Sequence, residues 1–279
     1  MMHPRLTPGN GRVAHVSLEG IASADRFVAG TLRQVAVPVA DLLREPAGAL
    51  DGQMLRGASF LVLETDFDPG WSFGQAQDDG YVGYVETRHL RDFEPVTHKV
   101  TALATHAYQA ADIKSRALQS LPFGAEVAVT GRRNRFHVLR DGTFVPSQHL
   151  RPLQQMADDF VAVFERFLGV PYLWGGNSPS GMDCSGALQL ALMAAGTECP
   201  RDADMQEIAL GRPLPSGAAP MRGDLVFWDG HVGVMRDPET LLHANAHHMA
   251  VTTEPFAVVV DRVIANGGGP VTAIRRLAG

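Results

Sequence analysis

Cysteine is nearly absent: the 279 residues hold two, Cys184 and Cys199. A fold stapled by disulfides is thereby excluded, because domains that depend on such cross-links are dense in cysteine and a chain of this length can bury a core without them. Both thiols are expected to be free. Long apolar runs are missing too. No window approaches the roughly 18 uninterrupted apolar residues of a membrane-spanning helix, and the opening stretch MMHPRLTPGNGRVAHVSLEG has no apolar segment of the secretory kind. The expectation is a cytoplasmic protein with no membrane partner. Charge of one sign is nowhere concentrated: 24 Lys and Arg against 30 Asp and Glu leave a net charge of −6, with no block able to track a phosphate backbone. Nucleic acid is not an expected partner. A phosphate-cradling loop is also missing, since neither the early Gly9-Asn10-Gly11 nor Gly267–Gly269 is followed by Lys and then Ser or Thr.

What is present is an ordinary globular composition, 45% hydrophobic and 19% charged, so the whole chain is expected to fold. Its length exceeds one domain of about 100–150 residues, and two or three are expected. One pattern occurs twice in the first half, at Leu55–Leu90 and at Leu121–Leu150. In each copy a Gly-Ala pair (Gly57-Ala58, Gly124-Ala125) opens an alternating apolar strand, and an aromatic strand follows after a turn. An Asp-Gly pair (Asp79-Gly80, Asp141-Gly142) then makes a tight turn, and the copy closes on VETRHL or VPSQHL. Period two with hairpin turns is the β signature. Two small antiparallel barrels are predicted, the first with the N-terminal segment over residues 1–95 and the second over 96–155. Trp71, Phe73 and Tyr84 sit at strand spacing and read as barrel core.

From Met156 the texture changes. Phe160, Val161, Val163, Phe164, Phe167 and Leu168 recur at helical spacing, and Gly169 and Pro171 stop the run. CSGALQLALMAAG suggests a second helix with Gly196 as its C-terminal cap. After it DLVFWDG, HVGVMRD, LLHANAH, MAVTTEPF and VTAIRRL read as strands joined by turns. Helices followed by an antiparallel sheet make an α+β domain over 156–279, with the boundary near Arg151–Gln155.

Asp183-Cys184-Ser185 lies where a glycine-rich loop meets the second helix, so the sulfur is expected against unsatisfied N–H groups at the positive end of the helix dipole, a setting that favours thiolate. A nucleophilic thiol needs an imidazole. His231 opens the strand HVGV and His243 lies twelve residues on, in LLHANA. Both rings can point at one site if the connection between their strands has an odd number of residues or a bulge. His231 would then face the sulfur, and His243 would bond its far nitrogen and fix its tautomer. The other readings are an interior histidine and a strand-end surface residue.

Taken together, YLWGGNSPSGMDCSG, PRDADMQ, RGDLVFW, HVGVM and LLHANA resemble, in order and spacing, the NlpC-type cysteine peptidases, a papain-like family that cleaves cell-wall peptides. The resemblance covers about Met156 to Gly279. It implies Cys184 as nucleophile, His231 as base, His243 as the orienting third residue, and Tyr172 as an oxyanion donor beside the Cys184 N–H, which fits what a tetrahedral oxyanion needs. The repeated half resembles bacterial SH3-like modules through DGYVGYV. The combination is similar to the γ-D-glutamyl-L-diamino acid endopeptidases that recycle muropeptides. That likeness implies a substrate of the type L-Ala-γ-D-Glu-diamino acid with a free N-terminal L-alanine, no cofactor, Tyr81 as the barrel tyrosine at the substrate end, and Asp183 and Ser185 as substrate contacts. The family's usual glutamate for the substrate ammonium is replaced by Gly57-Ala58-Ser59, leaving Asp183, Glu64 or Asp66 to supply charge. An open-groove wall endopeptidase, an amidase or acyltransferase using the same Cys–His pair, and a wall-binding module with a silent catalytic fold are the other readings.

HANAHH gathers His243, His247 and His248, but no Cys or carboxylate at familiar spacing completes a metal set, so no metal is expected. Cys199 has no nearby histidine in sequence and reads as packing.

Overall fold

The computed structural model describes residues 3–215 and 217–277. The chain divides into two compact units, Met1–Gln155 and Met156–Gly279.

In the first unit the repeated sequence pattern folds as the same structure twice. Each Gly-Ala pair sits at a turn, with Gly57 at φ 92° and Gly124 at φ 83°. Each Asp-Gly pair makes the same Asx-type turn: the Asp79 side chain accepts from the Tyr81 N–H at 3.0 Å, and Asp141 accepts from Thr143 N–H at 3.0 Å. Each copy then runs through a strand (Val82–Glu86, Phe144–Pro146), a single 3-10 turn (Thr87–His89, Ser147–His149) and a last short strand (Leu90–Asp92, Leu150–Pro152). The first barrel is a seven-stranded antiparallel sheet and the second is built from a five-stranded and a three-stranded sheet. Alternation delivers the cores. Val100, Ala107, Leu121, Val127, Leu139, Val145 and Leu150 fill the second barrel, and Phe73 and Tyr84 pack at 5.1 Å between ring centroids in the first, with Trp71 against them.

The barrels form one unit because Arg56 ties them. Its guanidinium, 7% exposed, donates to Ala36 O in the first barrel and to the Gln119 and Asp141 side chains in the second, and its carbonyl accepts the Glu126 N–H at 2.7 Å. Gly57 next to it must be glycine: a Cβ there would lie 2.5 Å from Glu126 O, and φ is already positive.

The second unit is α+β. Helix α1 (Phe160–Glu165) is capped by Asp159, which accepts from Val161 and Ala162 N–H. Helix α2 (Cys184–Ala194) is buried from Cys184 through Leu192 on every side, which is why its sequence is apolar apart from Ser185 and Gln189, both hydrogen-bonded. A six-stranded antiparallel sheet runs in the order Arg212–Pro213, Ala273–Arg276, Leu225–Trp228, His231–Met235, Thr240–Asn245, Ala250–Pro255. Two helices were not expected from sequence. Helix α3 (Ala203–Ala209) is short, and helix α4 (Phe256–Ala265) carries a Val258-Val259-Val260 run whose β-branching disfavours helix. Packing overrides propensity: Phe256, Val259, Val260 and Val263 of α4 cover Val226, Trp228, Met235 and Leu241 of the sheet. Among the described residues no helix is long and apolar enough to cross a membrane.

Candidate active site

The loop before Cys184 is shaped by Asp183. Its Oδ2 accepts the Gly175 N–H at 2.8 Å, its Oδ1 accepts the Gly186 N–H at 2.7 Å as the cap of α2, and Arg201 donates to both oxygens, at 3.0 and 2.8 Å. Arg201 also donates to Ser185 Oγ at 2.9 Å. Between these anchors the chain makes a small hairpin, Asn177–Ser178 against Gly181–Met182. It runs so close to the rest of the loop that a Cβ on Gly176 would lie 2.4 Å from Gly181 O. One buried carboxylate thus locks both ends of the loop and the first turn of the helix that carries the thiol.

The sulfur of Cys184 is 6% exposed as part of its residue and receives the backbone N–H groups of Ser185 and Val232, the latter adjacent to His231 on a strand that packs against α2. These donors and Arg201 favour thiolate, yet they lose. Burial, with the Asp183 carboxylate next, pushes the Cys184 thiol up to about 12. The helix-start argument for an ionised sulfur is therefore overturned: desolvation outweighs a dipole worth a fraction of a kcal/mol to about 2 kcal/mol. Tyr172 lies in the field of the same residues, and burial with Cys184 and Asp183 raises it further above the usual phenol value, so it keeps its proton and can donate.

Facing the thiol's helix is a chain of four side chains. Met235 pairs with Leu241, so the connection 236–240 is an odd five residues and the register brings His231 and His243 to one face. Their rings are 5.1 Å apart by centroid, and His231 Nε2 lies 2.8 Å from His243 Nδ1. On the next strand Leu241 pairs with Glu254, which shares that face. Glu254 Oε1 is 2.9 Å from His243 Nε2, and Arg262 of α4 donates to both Glu254 oxygens, at 2.8 Å to Oε1 and closer still to Oε2. His248 Nε2 lies 3.1 Å from Oε2. Arg262 holds Glu254 far below the usual carboxylate range, helped by His243 and His248. Burial, with His243 and Arg262, drives His231 down to about 3, and burial lowers His243 as well. The resting site holds a neutral thiol and two neutral imidazoles. The Trp228 ring is buried 5.7 Å from that of His231.

Among the residues singled out from sequence, Tyr172, Asp183, Cys184, Ser185, His231 and His243 all belong to the second unit. Asp183 and Ser185 are not open to a substrate as side chains. The five donors on Asp183 neutralise and saturate its carboxylate, and Ser185 Oγ is turned toward Asp183 and Arg201. Glu64 is likewise committed, to Arg12 at 2.8 Å and Arg26 at 2.9 Å. Tyr81 belongs to the first unit, where its ring is 3% exposed. His243 and His248 both turn to Glu254, and among the described residues no group of three or more His, Cys, Asp or Glu is placed to hold a metal ion. Neither cysteine is in a disulfide, and both are buried. Sequence reading missed Arg201, Glu254 and Arg262. The first lay in PRDADMQ unremarked, and the other two are joined to the site only by strand pairing and by α4.

Residues 169–261 match the NlpC/P60 family, and residues 42–90 match the bacterial dipeptidyl-peptidase SH3 domain. The chain is 29% identical over 181 residues to a γ-D-glutamyl-L-lysine dipeptidyl-peptidase of Bacillus subtilis (strain 168), covering 59% of this chain and 60% of the relative. It is 33% identical over 233 residues to the protein of that name from Bacillus cereus (strain ATCC 10987), covering 74% of this chain and 65% of the relative. The chain thus spans somewhat under two thirds of the length of these relatives. Among solved structures, an NlpC/P60 family protein from Bacillus cereus ATCC 10987 shares the fold, with a TM-score of 0.73 at 17% identity over 89% of this chain and all of that one.

Proposed function

Residues 169–261 being an NlpC/P60 domain behind a bacterial SH3 domain, we propose that the protein is a cysteine peptidase that hydrolyses the γ-D-glutamyl-L-diamino acid bond of cell-wall peptides. The observation that carries the reading is the chain from Glu254 through His243 to His231, the neighbour in sequence of Val232, whose backbone N–H meets the Cys184 sulfur at the start of a buried helix. Each of these buried polar groups is costly unless paired, and the string as arranged suits a base held in place for a nucleophile.

The reaction follows from the protonation states. His231 Nε2 is taken by His243, so Nδ1 is the nitrogen that removes the Cys184 proton as sulfur attacks the γ-glutamyl carbonyl carbon. The carbonyl oxygen becomes an oxyanion, held by the Cys184 N–H and the Tyr172 hydroxyl. As the C–N bond breaks, His231 returns the proton to the leaving amine of the diamino acid. Water then attacks the thioester, giving a proton to His231, which passes it to the departing sulfur. Low dielectric disfavours a resting thiolate–imidazolium pair, so proton transfer accompanies attack rather than preceding it.

The finer reading is that the substrate carries a free N-terminal L-alanine, as in murein recycling, where peptides already cut from the wall are processed in the cytoplasm. One observation favours a second reading, an open-groove wall endopeptidase: two of the three carboxylates considered for the ammonium are already paired, Asp183 with Arg201 and Glu64 with Arg12 and Arg26, while Asp66 accepts the Gly70 N–H. Hydrolysis of L-Ala-γ-D-Glu-L-Lys and of its N-acetylated form decides between them. Cleavage of the free peptide alone supports the dipeptidyl reading, equal rates support the open groove, and undiminished cleavage by Cys184→Ala would remove the thiol mechanism altogether.

A further inference from the structure

We infer that Glu254, clamped by Arg262, is a positioning residue that sets the order of protons through two successive imidazoles and so leaves Nδ1 of His231 without a proton, able to act as the base. This rests on the cysteine-peptidase reading for its kinetic consequence, but the proton order itself follows from the hydrogen-bond geometry and the neutrality of two buried rings.

The order of protons is set from the outer end. Arg262 donates to both oxygens of Glu254, and His248 stands against Oε2. A carboxylate so held is an acceptor only. Since Oε1 lies 2.9 Å from His243 Nε2, that nitrogen must carry a hydrogen. His243 is 1% exposed, and burial favours its neutral form, which has room for one ring proton. Its Nδ1 is then a bare acceptor. The atom 2.8 Å from it, His231 Nε2, must in turn be the donor. His231 is also neutral at rest, so its single proton is spent on Nε2 and Nδ1 is left with a lone pair. One fixed charge outside the site thereby selects the reactive tautomer two rings away. The selection also serves the transition state. When His231 takes the thiol proton, its charge is shared along N–H bonds that end on Glu254, with no group needing to turn over.

Glu254→Gln is the sharp perturbation, because it keeps size and shape while removing acceptor-only character. A glutamine offers one oxygen and one NH2. The oxygen is expected on the Oε2 side, where Arg262 makes its shorter contact and His248 also stands; the NH2 then takes the place of Oε1, gives up the second Arg262 bond and faces His243 Nε2. Every proton downstream then reverses: His243 donates from Nδ1, His231 accepts at Nε2, and the His231 proton sits on Nδ1, blocking the base.

The experiment compares wild type, Glu254→Gln and Glu254→Asp by three readouts: kcat and KM on L-Ala-γ-D-Glu-L-Lys, nitrogen-15 NMR of the histidine rings, and the rate of Cys184 alkylation by iodoacetamide. Expected for Glu254→Gln is a kcat reduced at least about 100-fold, in line with the cost of a wrong tautomer at a catalytic histidine. KM should change little, His231 Nδ1 should switch from a pyridine-type to a pyrrole-type shift, and alkylation should slow in parallel. Glu254→Asp, still acceptor-only, should restore the wild-type ring shifts and much of the rate. A Glu254→Gln enzyme with near wild-type kcat, or with the His231 proton still on Nε2, overturns the inference. If wild type cleaves no such peptide, the functional reading fails while the ring shifts and alkylation rates still decide this one.

Discussion

Replacing Arg201 by Met tests how the thiol's platform is held. Arg201 is 3% exposed and Asp183 7%, and the pair is joined by two N–H···O bonds of 3.0 and 2.8 Å. Methionine fills much of the same volume but leaves the Asp183 carboxylate buried with only the Gly175 and Gly186 N–H groups and the Ser185 hydroxyl as partners. Breaking a buried pair by removing one partner costs about 3–5 kcal/mol, mostly the uncompensated charge. For a unit of this size each kcal/mol lowers Tm by about 3–5 °C, so a fall on the order of 10 °C or more is expected. Urea denaturation followed by tryptophan fluorescence reads the loss, two of the three tryptophans, Trp174 and Trp228, being in this unit. The double variant Asp183→Asn with Arg201→Met removes the stranded charge while keeping an acceptor for the cap. It is expected to recover about 1–3 kcal/mol relative to Arg201→Met alone, the size of coupling seen between contacting groups. Arg201 also pulls the Cys184 thiol toward ionisation, so iodoacetamide alkylation should slow in the single variant. A loss under about 1 kcal/mol, or strictly additive effects in the double variant, would refute the reasoning.

Two further outcomes follow from protonation. Because burial drives His231 down to about 3 from an unfolded value of 6.5, the unfolded chain binds the extra proton between those pH values. Stability is full above about pH 6.5 and falls by about 1.4 kcal/mol per pH unit below it; urea titrations of wild type should show this extra slope relative to His231→Asn, and matching slopes would contradict it. The neutral Cys184 thiol should give no thiolate absorbance near 240 nm at pH 7 over a Cys184→Ala reference, whereas a full thiolate band there would show an ion pair at rest.

Local pattern was enough to read much of this protein. The doubled Gly-Ala, Asp-Gly and V-x4-L spacing fixed two barrels because turn chemistry and period-two alternation act over a few residues, and both copies obey them. Asp183-Cys184 at a helix start, with His231 and His243 an even separation apart, marked the candidate reacting groups for the same reason. Pairing between distant segments decided the rest. Only strand register sets Glu254 beside His243, and only α4, a valine-rich segment that propensity argues against, carries Arg262 to it. Arg201 meets Asp183 across eighteen residues and takes away a charge that the local sequence offered to a substrate. The protonation of the thiol was beyond sequence as well. A dipole and a few N–H donors are visible in the order of residues, but desolvation depends on everything packed around the sulfur, and here it prevails.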